Sequence, residues 1–224
     1  MEGRNHCREA KRQRTEGPAE RRVEESEEED AAYDTEPYEA SEEGWATPPL
    51  AGGDKHQIDT IYCDLDGVLA DFDKGFRKMT GGQAPEEYKL RDMWERIEAC
   101  EWKEGFFGGL EWMEGGEELW EALAASGVRL SVLSGVPKGK EGWSTEQKID
   151  WCERRLEGRV RDRGDLEVIC CHSEHKQRWA HPRAVLIDDR AMTNGEEWKA
   201  AGGVFVHHTS LEDTLRQLSE LGIV

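Results

Sequence analysis

With 224 residues, 36% of them hydrophobic and 35% charged, the chain can build one substantial α/β domain, or a smaller domain carrying a tail. Its net charge of −19 repels phosphate backbones at long range, which argues against a general duplex-binding protein. No run approaches the roughly 20 consecutive apolar residues that span a bilayer, so an integral membrane protein is not expected.

Residues 1–54 hold sixteen acidic and seven basic side chains, including the stretch ERRVEESEEEDAAYDTEPYEASEE at 20–43. Such a segment has almost nothing to bury and much to repel, so an acidic, disordered tail is expected there. Four of the seven prolines (Pro18, Pro37, Pro48 and Pro49) fall in it, and Ala51-Gly52-Gly53 reads as a flexible joint. It reads either as a solubilising extension or as a docking tail in which Ser26 and Ser41 are acid-flanked phosphorylation candidates. The N-terminus has no apolar signal core and too many glutamates for a transit peptide. A cytoplasmic location is therefore expected, with Lys11-Arg12-Gln13-Arg14 as a weak nuclear signal. The six cysteines, at 7, 63, 100, 152, 170 and 171, form no CxxC pair, so neither a zinc site nor a disulfide framework is expected.

From residue 55 the pattern changes to short β-rich apolar runs alternating with amphipathic stretches, the mark of an α/β domain with a Rossmann-like parallel sheet covered by helices. Ile58 to Leu65 is the first predicted strand. After it, residues 75–116 break the alternation with Gly-Gly pairs and the aromatics Trp94, Trp102, Phe106, Phe107 and Trp112, as a small helical cap would. A helix over Glu117 to Ser126 presents Leu119, Trp120 and Leu123, with Gly127 as its left-handed terminator. The strand Val128 to Leu133 follows, then a helix with Ser144 and Gln147 as a capping box and Ile149, Cys152 and Leu156 on its buried face. Strands are predicted at Leu166 to Cys171, Ala184 to Ile187 and Val204 to Val206. Ser210 caps a last helix expected to bury Leu211, Leu215, Leu218 and Leu221.

The chemistry concentrates at strand ends. Asp64-Leu65-Asp66-Gly67 closes the first strand, and Val185-Leu186-Ile187-Asp188-Asp189 closes another. Carboxylates delivered in pairs to one sheet edge repel unless a cation or proton is shared, and their hard oxygens suit Mg²⁺. A plain turn with an aspartate cap is the competing reading of the first pair. Ser134-Gly135 offers a hydroxyl and backbone N–H groups for phosphoryl oxygens, and Lys176 a cation to offset charge. His172 and His175 read as polar surface, Arg190 as a structural ion-pair partner. The cap aromatics serve a small core of their own, while one or two facing the site would stack a nucleobase.

In that order Asp64-Leu65-Asp66-Gly67-Val68, Ser134, Lys176 and Asp188-Asp189 resemble the four motifs of the haloacid dehalogenase superfamily of phosphatases. DLDGVLADFD at 64–73, the following cap, LIDDR at 186–190 and WKAAGG at 198–203 are similar to the 5′(3′)-deoxyribonucleotidase group. Leu133-Ser134-Gly135-Val136-Pro137 stands where animal nucleotidases more often carry a Thr-Ser-Pro type sequence. The resemblance implies Asp64 as the nucleophile, Asp66 as acid and base, and Mg²⁺ held by Asp64, Asp66 through its carbonyl, and Asp188, with Asp189 assisting the metal or orienting Lys176. It further implies Ser134, Gly135 and Lys176 around the phosphoryl group, and Phe106 and Phe107 against the substrate. The expected activity is a Mg²⁺-dependent phosphomonoesterase acting on a nucleoside monophosphate or similar small ester. A nucleic-acid-end phosphatase and a non-catalytic scaffold are the alternatives; the net −10 of residues 55–224 and the absence of a basic stripe stand against the first.

Overall fold

The computed structural model describes residues 58–156 and 166–224. The acidic tail expected at 1–54, with its phosphorylation and basic-cluster candidates, lies outside the described residues. β1 (Thr60–Cys63) leads to the helices α1 (Phe72–Thr80), α2 (Leu90–Glu98) and α3 (Gly105–Gly108). Next come α4 (Gly116–Ala125), β2 (Arg129–Gly135), α5 (Glu141–Leu156), β3 (Glu167–Cys171) and a 3₁₀ stretch at Ser173–Trp179. β4 (Ala184–Asp188) runs into a π-turn at Ala191–Gly195 and then α6 (Glu196–Ala200), β5 (Val204–His207) and α7 (Leu211–Glu220).

The five strands form one parallel sheet in the order β3-β2-β1-β4-β5. This is a Rossmann-like α/β architecture. Alternate residues of each strand enter opposite cores. Ile61, Cys63, Val185 and Ile187 join Leu119, Trp120 and Leu123 of α4, Trp151 and Cys152 of α5, and Leu218 of α7. Tyr62, Leu133, Ala184 and Leu186 pack with Trp198 of α6. Both faces are covered, which is why the strand sequences read as unbroken apolar runs rather than as alternation. Among the described residues no helix is long and apolar enough to cross a membrane.

Two local expectations are corrected. α5 starts at Glu141, so Ser144 is not its cap; it lies within the helix, and its hydroxyl donates to the Lys140 carbonyl at 2.7 Å. Gln147, the supposed partner, instead accepts from the Phe107 N–H at 3.0 Å. In α7 Leu218 is buried and Leu211 and Leu215 pack against the core, but Leu221 is 38% exposed. The helix ends at Glu220, so Leu221 no longer follows the helical stripe. Ser210 does cap α7, accepting from the Asp213 N–H, and Gly127 has the positive φ expected of it.

Candidate active site

In a sheet of this order the chain winds one way from β1 to β2 and the other way from β1 to β4. The strand ends at that reversal leave a crevice, where doubly wound sheets bind ligands. β1 and β4 are the two strands there, with Cys63 paired to Ile187. The next residue of each is an aspartate. Asp64 and Asp188 are therefore neighbours because of register, and both are buried.

Past Asp64 the chain turns sharply. The Val68, Leu69 and Ala70 N–H groups all donate to the Leu65 carbonyl, and Gly67 N–H donates to the Ala70 carbonyl at 2.9 Å. Gly67 takes φ +79°, and a Cβ there would stand 2.6 Å from Asp189 Oδ2. Glycine thus serves both the left-handed turn and the close approach of the second acidic pair. Asp64, Asp188 and Asp189 bring carboxylate oxygens within 4.8 Å of one another.

Lys176, buried in the 3₁₀ stretch after β3, lies 2.7 Å from both Asp64 Oδ2 and Asp188 Oδ2. Burial works against its ammonium, but the two carboxylates outweigh that cost and raise its pKa. Burial pushes the Asp64 carboxyl up to about 7 despite the pull of Lys176. Burial opposes the charge of Asp188 too, yet Lys176, the Arg190 N–H and Asn194 Nδ2, the last two at 2.8 Å, hold it below the ordinary carboxylate range. Asn194 is delivered by the π-turn, a distortion that often marks functional positions.

Lys148 was not anticipated. It is fully buried on α5, and its Nζ donates to Asp66 Oδ2 at 2.6 Å and Ser134 Oγ at 2.9 Å, 4.5 Å from the Phe107 ring centroid. Its spacing from Ser144, Trp151 and Cys152, all buried, was the available signal: a lysine on the inward stripe of a helix needs an anionic partner. The other oxygen of Asp66, Oδ1, is buried without a hydrogen-bond partner.

A cavity of about 540 Å³ opens over this edge, lined by Asp64, Asp66, Gly135, Asp189 and Arg190 below and by Phe72, Trp94 and Phe107 on the cap side. The structure separates the two phenylalanines expected to meet the substrate. Phe107 lines the cavity, with its ring stacked 5.8 Å from Trp143. Phe106 is a correction: it does not line the cavity, being fully buried between Phe72 at 5.2 Å and Trp102 at 5.9 Å. Its ring completes the cap's small core. Gly135 forms wall beside Ser173, whose Oγ any Cβ there would overlap. His172 engages Glu141 at 2.7 Å.

The three mutually close carboxylates form an all-oxygen donor set, which fits a hard divalent cation such as Mg²⁺. Lys176 pairs with two of the three, Asp64 and Asp188. The side chain of Asp66 lies outside the three-carboxylate cluster, paired with Lys148.

No protein-family model matches the chain, and no curated protein matches it. Several solved structures are distantly similar to the chain. A haloacid dehalogenase-like family hydrolase from Xanthomonas campestris is 12% identical, with 76% of this chain and 94% of that one covered at a TM-score of 0.49. A haloacid dehalogenase family hydrolase from Deinococcus radiodurans R1, solved with bound phosphate and sodium, is 18% identical over 75% and 90% at 0.40. A β-phosphoglucomutase-like protein from Thermotoga maritima is 17% identical over 75% and 93% at 0.42. At such distances the functional reading rests on the geometry of the site itself.

Proposed function

We propose that this protein is a phosphomonoesterase that passes the phosphoryl group through Asp64, with a nucleoside monophosphate or a similar compact ester as substrate. The observation that carries it is the meeting of Asp64, Lys176, Asp188 and Asp189 at the β1–β4 reversal, with Asp66 and Ser134 bridged by a second buried lysine. A purely structural role has no need of two buried ammonium groups facing four carboxylates.

Asp64 Oδ2, held beside Lys176, attacks phosphorus. A bond forms from the carboxylate oxygen as the bond to the leaving oxygen breaks, and Asp66 gives that oxygen its proton. Asp66, now ionised, takes a proton from water, which attacks phosphorus, frees phosphate and restores Asp64. Ser134 and the Gly135 strand end hold phosphoryl oxygens. Lys148 steadies the proton carrier and adds positive charge beside the group being transferred. Asp64, Asp188 and Asp189 would hold Mg²⁺, which supplies charge neutralisation at the phosphoryl oxygens when bound. The cap aromatics restrict entry to small esters.

The test is release of phosphate from a panel of mononucleotides, sugar phosphates and end-phosphorylated oligonucleotides, with Asp64→Asn alongside. Turnover of a small ester, lost by about a thousandfold or more in the variant and abolished by chelation, is expected. Equal phosphate release by variant and parent would remove Asp64 from the reaction. Preference for oligonucleotide ends would shift the substrate class.

A further inference from the structure

Beyond the aspartates the cavity is walled by Phe72, Trp94 and Phe107 together with two more carboxylates, Asp71 and Asp73. Phe72 and Trp94 meet edge to face at 6.3 Å. Asp71 uses Oδ1 to cap α1, accepting from the Lys74 N–H at 2.9 Å. Lys74 and Lys78 of α1 both pair with Glu111, at 2.8 and 3.0 Å, and neither lines the cavity, although Lys74 also feels the charge of Asp71. Burial and then the nearby Glu86 raise the pKa of Asp73 against the pull of Arg77. Arg190 and His208 are the basic side chains lining the cavity, and burial keeps His208 toward its neutral form. Among the side chains that line the cavity the two outer carboxylates outnumber the one permanent cation, Arg190, while Arg77 acts on Asp73 from outside the lining.

We propose that this outer chamber selects phosphomonoesters whose organic remainder carries an amine or ammonium group and rejects those with a second anionic group, an assignment that rests on the phosphomonoesterase reading above. Aromatic faces beside carboxylates attract a cation on two counts, ring quadrupole and charge, and the same wall repels an anion. The volume of about 540 Å³ suits a compact remainder.

Ethanolamine phosphate, ethyl phosphate and phosphoglycolate are near in size and differ by one charge at each step. With Mg²⁺ at low salt, kcat/KM should fall in that order by about five- to tenfold per step, and the spacing should shrink at high ionic strength. In Asp71→Asn/Asp73→Asn the ratio of the ammonium to the neutral ester should drop at least about fivefold, asparagine still being able to cap α1. Equal rates for the three esters, or an ammonium-to-neutral ratio unchanged in the double variant, would overturn the assignment while leaving the phosphomonoesterase reading standing. If no ester turns over, that reading fails first, and calorimetric titration with 2-aminoethylphosphonate and ethylphosphonate still decides the charge preference. Tighter binding of the amine by about fivefold supports the chamber's role, and equal affinity contradicts it.

Discussion

A lysine ammonium without solvent contact must find partners that outweigh its dehydration, and Lys148 finds Asp66 and Ser134. Removing it distinguishes a functional cation from a structural one. Lys148→Met should lower kcat about a hundredfold, the usual loss for one preorganised donor. The unfolding midpoint should hold or rise, since Asp66 is 26% exposed and water can take the place of the lysine. Phosphate-release kinetics and thermal unfolding of the same preparation check both; a lower midpoint with kcat retained would make Lys148 structural. Asp64, Asp66, Ser134, Lys176, Asp188 and Asp189 were legible because each follows or ends a strand, where one short apolar run announces its place. Lys148 was not, since its partner lies 82 residues away and only the packing of α5 brings them together. Phe106 and Phe107 failed to separate for a similar reason. Neighbours in one helical turn point apart by about 100°, and which of them meets the cavity depends on where the turn docks.

At the scale of elements, α5 joins the cap to the acidic edge of the sheet. Gln147 Oε1 accepts from the Phe107 N–H, Trp151 Nε1 donates to the Leu110 carbonyl at 3.0 Å, and Arg154 Nη2 donates to the Gly108 carbonyl at 2.5 Å. Lys148 lies between these contacts on the same helix. The register of α5 therefore sets the roof and the pairing of Lys148 with Asp66 together. Gln147→Ala/Arg154→Ala should free the α3 backbone, at about 1 kcal/mol per lost bond, and lower the unfolding midpoint by a few degrees. Hydrogen exchange should quicken at least about tenfold over residues 105–108 and stay slow in β1 and β4. Unchanged exchange over 105–108 would mean that the cap stands without α5. The sequence located this helix and misplaced its start, because Ser144 and Gln147 have cap-like spacing while their side chains serve a backbone carbonyl and the cap. Strand positions were easier to read, since a sheet buried on both faces leaves each strand as an uninterrupted apolar run.

For the whole molecule, the parallel sheet concentrates acidic charge at one edge, and folding must bear that repulsion or relieve it. Burial raises Asp64 to about 7 from its ordinary value of 3.8, so the folded state keeps a proton that the unfolded chain has already released. This contribution to stability is complete below about pH 4 and is lost as pH rises toward 7. A divalent cation competes with that proton. Mg²⁺ should therefore raise the unfolding midpoint more at pH 8 than at pH 5, and an equal or larger shift at pH 5 would place the ion away from Asp64. The central claim is that phosphorus becomes bonded to Asp64 during turnover. Asp66→Asn treated with Mg²⁺ and p-nitrophenyl phosphate, whose leaving group needs no proton, should accumulate the phosphorylated carboxylate. Acid quenching, borohydride reduction and peptide mass spectrometry should then find homoserine at position 64. Release of p-nitrophenol in stoichiometric amount with aspartate intact at 64, or with the reduced residue elsewhere, would contradict the account.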